Sequence, residues 1–278
     1  MNGHKNIWIL KPGSLVFFGG EDITLHTDEE SIFDHWKVNK NSPSNPHKRT
    51  KAIAAYNAQY EWIVQKYIEN PLTSKKLAEK TSRKFDLRLW ILVTDFDPLT
   101  VWFYEEFIIR LAMQDYEDDT LDIKKHLTNA SIPMKELKKN KNTDYEKDDK
   151  KALEPYVKGS YEFVEEFGLD LWEQKAKPAI ENMIRSVFEA VKENFKDHRH
   201  NTFEFFGLDV IIDDQFDSWL LEINRGPYMD AYSKTSRHVS EPGVPVLINR
   251  FVIEDTIKVL LDWENDKEAD TGGWNLIT

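Results

Sequence analysis

The stretch 205–224, FFGLDVIIDDQFDSWLLEIN, leaves this chain the fewest folding choices. Two apolar runs, 205–212 and 218–223, flank the polar patch Asp213-Asp214-Gln215-Phe216-Asp217. Two apolar runs around such a patch predict a β-hairpin. The midpoint between Asp209 and Glu222 falls between Gln215 and Phe216, inside the turn. A symmetric hairpin therefore sets the two carboxylates opposite each other. Asn224, two residues beyond Glu222, projects from the same face of its strand. Like charges directly opposed are unfavourable unless a cation lies between them. Three hard oxygen ligands of this kind suit Mg²⁺ shared with phosphate oxygens. Asp213, Asp214 and Asp217 read as turn residues only.

The remaining composition narrows the possibilities. At 278 residues the chain holds one large domain or two small ones, with ample core. Its 9 Trp, 10 Tyr and 16 Phe belong to a globular composition. A formal net charge of -12 argues against general nucleic-acid binding and against adhesion to anionic membranes, while leaving room for a local basic groove. No cysteine is present, so disulfides, thiolate metal sites and cysteine nucleophiles are excluded. No apolar run reaches the length of a membrane span, and MNGHKNIWILKPG lacks the apolar core of a secretory signal.

Along the chain, residues 6–10 read as a strand that stops at Lys11-Pro12-Gly13, followed by a glycine-bearing loop over 13–20. A short apolar run surrounds Ile23-Thr24-Leu25, and 28–36 reads as a helix capped by Thr27 or Asp28. The polar, Pro/Ser-rich stretch 37–51 reads as a mobile loop. Strands are expected over 60–68, 85–94 and 100–104, with 107–111 extending the meander. The charged stretch 135–151 reads as a solvated helix face or a disordered insert. Helical spacing predicts helices over 171–195, with Pro178 in the first turn, and over 246–263. The irregular mix of strands and helices favours an α+β fold with mainly antiparallel sheet.

Polar residues that break strand patterns carry the chemistry. Lys84, Asp86 and Arg88 share one face of a strand whose other face holds Phe85, Leu87 and Leu89. Charged residues on one sheet face are usually solvated ion pairs. Here Trp90 and Leu92 continue the same face, so the charge is confined to one end, as for a site at a strand terminus. Gln65-Lys66-Tyr67-Ile68 closes a strand and offers backbone groups to a planar base. Lys11, after a strand and before a glycine-bearing loop, is placed to reach a phosphate. His126 in HLTNAS is a candidate catalytic group, although a lone histidine is more often structural. Together these parts fit a nucleotide-dependent ligase.

The segments WILKPG, WIVQKYIENPL, RKFDLRLWILVTDFDPLTVWFY, HLTNASI and FEFFGLDVIIDDQFDSWLLEIN resemble the tubulin tyrosine ligase-like family, from about residue 6 to 230, and within it the glycine-ligase branch. The resemblance implies an ATP-grasp fold, with a central subdomain over 1–71, a C-terminal subdomain over 72–278 carrying the metal site, and the family's N-terminal domain absent. It implies a ligase that uses ATP and Mg²⁺ to add glycine to glutamate side chains of tubulin tails through an acyl-phosphate. The setting implied is cytoplasmic and cytoskeletal, on microtubules including those of cilia.

By motif, Lys11, Gln65, Lys66, Tyr67 and Ile68 resemble nucleotide-binding positions, with Lys84 on a phosphate and Asp86 close by. Arg88 and Arg110 would hold the acyl-phosphate or the acceptor carboxylate. Asp209, Glu222 and Asn224 match magnesium ligands, and His126 and Asn129 a loop near the amino-acid site. Two departures stand out. The loop after Lys11 is SLVFFGGEDI, with Phe17, Phe18, Glu21 and Asp22 where a basic residue is usual; two acids near a triphosphate repel it. Arg225 follows Asn224, where it would compete with a metal or clamp a phosphate. These departures support a rival expectation, a degenerate ligase fold with a structural role on ciliary microtubules.

Overall fold

The computed structural model describes residues 5–12, 23–39, 62–75, 82–140, 153–195, 202–227, 232–233 and 246–278. The chain opens on a small antiparallel sheet. β1 (Trp8–Pro12) lies between β2 (Thr24–His26) and β3 (Trp62–Lys66). β1 runs through Lys11 and Pro12, pairing them with Ile63 and Trp62, where the sequence predicts a stop. Proline is tolerated there because Pro12–Trp62 is a non-hydrogen-bonded pair of the β1–β3 ladder, so the missing N–H costs no bond to β3. α1 (Glu29–Asn39) begins after Asp28, whose carboxylate accepts the Ser31 N–H at 2.8 Å. The helix extends to Asn39, into the stretch expected to be loop. Residues 40–51 and the glycine-bearing loop 13–22 lie outside the described residues. Buried Glu69 ties the sheet together, accepting the Lys5 and Ile7 N–H groups, each at 2.8 Å, and pairing with Lys66.

The second sheet begins with β4 (Thr73–Ser74) and is centred on β5 (Arg83–Phe96), a strand of 14 residues. Its length lets one edge serve two partners. β6 (Leu99–Tyr104) pairs with residues 91–96 and β7 (Ile108–Leu111) with residues 85–88. The expected meander is thus redirected: β7 folds back onto β5 rather than onto β6. The short helices α2 (Ile123–His126) and α3 (Ser131–Asn140) follow. The part of the 135–151 stretch within the described residues is helical. β8 (Val157–Gly159) pairs with β7, and α4 (Ser160–Phe167) packs below. The predicted 171–195 helix is a π-turn over Trp172–Ala176, then α5 (Lys177–Val191), then a 3₁₀ turn over Lys192–Phe195. Pro178 stands in the first turn of α5.

β9 (Glu204–Ile212) pairs with the free edge of β5, and β10 (Ser218–Arg225) with β9, forming the expected hairpin. β11 (Tyr232–Ser233) and β12 (Val246–Leu247) pair separately. α6 (Ile248–Ile257) continues as a π-helical segment, Lys258–Trp263. β13 (Trp274–Leu276) closes the sheet against β6. The architecture is α+β with antiparallel sheets.

The period-2 pattern of β5 organises the core. Phe85, Leu87, Leu89, Ile91 and Val93 join one apolar cluster, covered by Phe163, Ile180, Ile184 and Phe188 from α4 and α5. Trp90 and Leu92 join a second cluster on the opposite face, with Val252, Val259 and Trp274. The C-terminal helix is less regular than its spacing suggests: Ile253, Ile257 and Leu261 stay exposed while Asp255 is buried.

Candidate functional site

Strand pairing places a row of charged residues across four adjacent strands. Arg110 on β7 stands opposite Asp86 on β5, Arg88 on β5 opposite Asp209 on β9, and Asp209 opposite Glu222 on β10. The last pairing depends on a β-bulge. The first hairpin pairs are Ser218–Ile212, Trp219–Ile211 and Leu220–Val210; continuing that register would set Glu222 opposite Leu208. The ladder instead skips Leu221, which brings Glu222 opposite Asp209. Asp213 is more than a turn filler. It is buried, its Oδ1 accepts the Gln215 and Asp217 N–H groups, each at 3.0 Å, and its Oδ2 accepts the Trp219 indole N–H at 2.8 Å.

The arginines are bound to the acids they face. Arg88 Nε donates to Asp209 Oδ1 at 2.5 Å and its Nη2 to Oδ2 at 3.3 Å. Arg110 Nε donates to Asp86 Oδ1 at 2.8 Å, and its Nη2 pairs with Asp86 Oδ2 and, at 2.8 Å, with Asp209 Oδ2. Burial disfavours the Arg110 charge, but Asp86 and Asp209 outweigh it and raise its pKa. Burial likewise disfavours the Asp209 charge, and Arg110 and Arg88 overcome it, holding the carboxyl below its ordinary range. Two guanidinium groups thus already face Asp209 before any metal is considered.

Glu222 is the less compensated acid: Arg110 and the Asn224 amide act to lower its pKa but do not outweigh the opposing effects. Although its tip is open to solvent, partial desolvation and then the Asp209 carboxylate push its pKa up. Asn224 Nδ2 donates to Glu222 Oε1 at 3.0 Å, leaving the amide oxygen as a further acceptor. Among the described residues there is no group of three or more His, Cys, Asp or Glu side chains arranged around a metal position. Two carboxylates and one amide oxygen nevertheless fit a hard divalent cation that keeps other oxygen ligands, and the raised pKa of Glu222 is a repulsion such a cation relieves.

A cavity of about 90 Å³ separates the small sheet from this row. From the row, Asp86, Asp209 and Glu222 line it. From β1 comes Lys11, whose Nζ donates across the gap to the Leu221 carbonyl at 3.3 Å. Burial lowers its pKa, against the opposing effect of Glu222. From the end of β3 come Gln65, Lys66, Tyr67 and Ile68. The Tyr67 N–H donates to the Ile7 carbonyl at 3.0 Å. Alternation of the antiparallel ladder then turns the Lys66 backbone groups toward the open edge of β3. The Lys66 ammonium is held by Glu69 and by the Ile7 carbonyl at 3.1 Å.

Lys84 is buried in the cavity wall, and burial brings its pKa down to about 7, against the opposing pull of Asp86. Its Nζ donates to the Tyr67 hydroxyl at 2.6 Å. His126 is also buried, with Nδ1 2.9 Å from the Tyr67 hydroxyl and Nε2 2.6 Å from the Thr120 carbonyl oxygen. Asn129 lines the cavity and starts α3 by accepting the Ile132 N–H at 2.9 Å.

Three of the sequence-derived candidates do not line the cavity. Arg88, Arg110 and Asn224 stand behind it and touch Asp209, Asp86 and Glu222, which do. Ile9, Ile23, Thr128, Ile211 and Leu221 line it without having been singled out. Ile211 was within reach of the sequence argument, since it shares the face of Asp209 two residues on. Arg225 is not beside the Glu222–Asn224 pair; it forms an exposed ion pair with Glu204, its Nε 2.9 Å and Nη2 2.6 Å from the carboxylate oxygens. The unusual residues Phe17, Phe18, Glu21 and Asp22 lie outside the described residues. No helix of the described residues is long and apolar enough to cross a membrane.

Comparison with known proteins gives these features a context. The model of the Tubulin-tyrosine ligase family matches residues 1–261. Tubulin glycylase 3C of Tetrahymena thermophila is 34% identical over 292 residues, covering 100% of this chain and 23% of the relative. Tubulin monoglycylase TTLL3 of Danio rerio is 33% identical over 286 residues, covering 99% and 31%. Tubulin glycylase 3A of Drosophila melanogaster is 30% identical over 280 residues, covering 99% and 24%. The chain thus spans about a quarter of the length of the curated relatives it matches.

Proposed function

Because the chain belongs to the tubulin-tyrosine ligase family, we propose that it joins glycine to glutamate side chains of tubulin tails in an ATP-dependent reaction. The observation that carries this reading is the convergence of its parts in one cavity. A strand edge at Lys66 left unpaired among the described residues, two cationic side chains, Lys11 and Lys84, and the Asp209–Glu222 pair all meet there. The glycylase names of the relatives supply the amino acid and the acceptor class.

In this reading the base of ATP lies along the β3 edge between Ile9 and Ile211, and the phosphates run toward Lys84 and Lys11. Mg²⁺ held by Asp209, Glu222 and Asn224 would supply neutralisation of phosphate charge. The γ-phosphoryl group passes to the glutamate carboxylate, giving an acyl-phosphate and ADP. The glycine amine then displaces phosphate, forming the amide bond. The chain contributes charge and position, with no covalent enzyme intermediate. Arg88 and Arg110 keep Asp209 ionised and oriented from behind the cavity wall. On this reading the protein acts on microtubules, including those of cilia.

The test pairs binding with turnover. ATP with Mg²⁺ at millimolar concentration raises the melting temperature, as a ligand selective for the folded state does. Incubation with tubulin, ATP and labelled glycine, glutamate or tyrosine in parallel shows incorporation of glycine. Glu222→Gln abolishes incorporation and leaves the melting temperature of the ligand-free protein unchanged or about 1–2 °C higher, because it removes a carboxylate pressed against Asp209. Glycine incorporation by that variant overturns the site. Absence of any ATP-dependent shift leaves the structural role on microtubules as the better reading.

A further inference from the structure

We propose that His126 is a positioning residue: with the Thr120 carbonyl and the Tyr67 hydroxyl it forms a hydrogen-bond chain of fixed direction that holds the Lys84 ammonium at the cavity wall. The inference rests on the nucleotide reading of that cavity. Its direction follows link by link from what each atom is able to do. The Thr120 carbonyl only accepts, so His126 Nε2, 2.6 Å away, carries the proton. A neutral imidazole protonated at Nε2 has a bare Nδ1, which accepts from the Tyr67 hydroxyl at 2.9 Å. That commits the single Tyr67 proton. Toward Lys84 the phenol oxygen is then purely an acceptor, and the ammonium donates to it at 2.6 Å.

Burial enforces the pattern. His126 is 0% exposed, Lys84 3% and Tyr67 4%, so none of the three has water as an easy substitute partner. Desolvation lowers the His126 pKa, which keeps the ring neutral, and raises that of Tyr67, which keeps the phenol protonated. The Lys84 ammonium also stands 4.2 Å from the centroid of the Tyr67 ring. Tyr116 closes the far side, edge-on to His126 at 5.3 Å, with its hydroxyl on the Glu69 carbonyl at 2.6 Å. The titratable and charged groups acting on the chain are Asp86 at Lys84, Tyr116 at Tyr67, and Lys84, Asp122 and Lys125 at His126. The chain joins the end of β3, the start of β5 and the segment entering α2. His126, which sequence alone suggests as catalytic, thus has both ring nitrogens engaged by protein atoms.

Calorimetric titration of ATP–Mg²⁺ across pH, on the wild type and on three variants, tests this. Tyr67→Phe keeps the ring and removes the oxygen; the affinity falls by about tenfold or more. The alkaline limb of its binding profile moves to lower pH, because the lost acceptor no longer favours the ammonium. His126→Asn keeps an acceptor at the Nδ1 position and stays within about threefold of the wild type. His126→Gln keeps the donor toward Thr120 but loses that acceptor, and matches the loss of Tyr67→Phe. The double variant Tyr67→Phe/His126→Gln is no weaker than either single one, as expected for members of one chain. Wild-type affinity together with a wild-type pH profile in Tyr67→Phe, which preserves packing, overturns the proposal. Failure of the wild type itself to bind ATP overturns the nucleotide reading and the proposal with it.

Discussion

At the scale of single residues, Lys84 shows how a site is written as a local loss of stability. Its folded pKa is depressed to about 7, against 10.5 for the free side chain. Between those values the unfolded chain holds a proton that the folded chain has released, so stability rises with pH across that window. Below about pH 7 both states are protonated and the full cost of burying the charge is present. Lys84→Met should therefore be more stable than the wild type at pH 7, by roughly 2–4 kcal/mol. Its stability should lose the upward slope between pH 7 and 10 while nucleotide binding is abolished. Urea titrations at several pH values measure this; an unchanged slope would show that Lys84 is not the titrating group. Sequence exposed this residue because Lys84, Asp86 and Arg88 interrupt an otherwise apolar strand. It could not expose the partner that orients the lysine. Tyr67 and His126 stand 59 positions apart, and nothing local in either motif announces the other.

At the scale of elements, the hairpin and β5 were legible for the same reason: apolar runs bounded by turn residues, with two-residue alternation of their charged positions, mark strands, here buried along both faces. What alternation does not encode is the partner of each stretch. Nothing in IIRL indicates that β7 returns to the first half of β5. The bulge at Leu221 was hidden too, because Leu220 and Leu221 are interchangeable to a pattern argument. The consequence is large, since one skipped residue decides whether Glu222 meets Asp209 or Leu208. Gly207 belongs to the same level. A Cβ there would stand 2.6 Å from Pro227 Cβ and 3.0 Å from Arg88 Nη1. Proline has no flexible end to withdraw, so the strand or the guanidinium has to move. Gly207→Ala is expected to cost about 1–3 kcal/mol in urea unfolding and to weaken ATP–Mg²⁺ binding by displacing Arg88 from Asp209. Unchanged stability would mean that the approach of β9 to Pro227 is looser than described.

At the scale of the whole molecule, the cavity depends on two sheets, and the larger one is closed far from the cavity by the last residues of the chain. β13 lies beyond residue 261, where the family match ends. Trp274 enters the core on one face of the sheet and Ile277 the core on the other. The Ile277 carbonyl accepts from Arg185 Nε on α5 at 2.7 Å, and Asp255 on α6 receives the Gly273 N–H at 2.9 Å and the Tyr104 hydroxyl at 2.8 Å. This terminal segment thus clasps helices on both faces, while Lys84, Asp209 and Glu222 sit across β5 and β9 from it. Stability and site chemistry should separate accordingly. Trp274 is fully buried and meets Tyr104 and Phe205 edge to face, with ring centroids 4.8 and 5.8 Å apart. Trp274→Ala removes that packing and should lower the unfolding free energy by about 3–5 kcal/mol. The folded fraction should still bind ATP–Mg²⁺ within about twofold of the wild type, since the Trp274 neighbours Tyr104 and Phe205 do not line the cavity. Urea unfolding followed by circular dichroism gives the first quantity and calorimetric titration the second. A tenfold loss of affinity in molecules that remain folded would show that the clasp sets the geometry of the cavity, and the sheet would then have to be treated as one mechanical unit from β13 to β10.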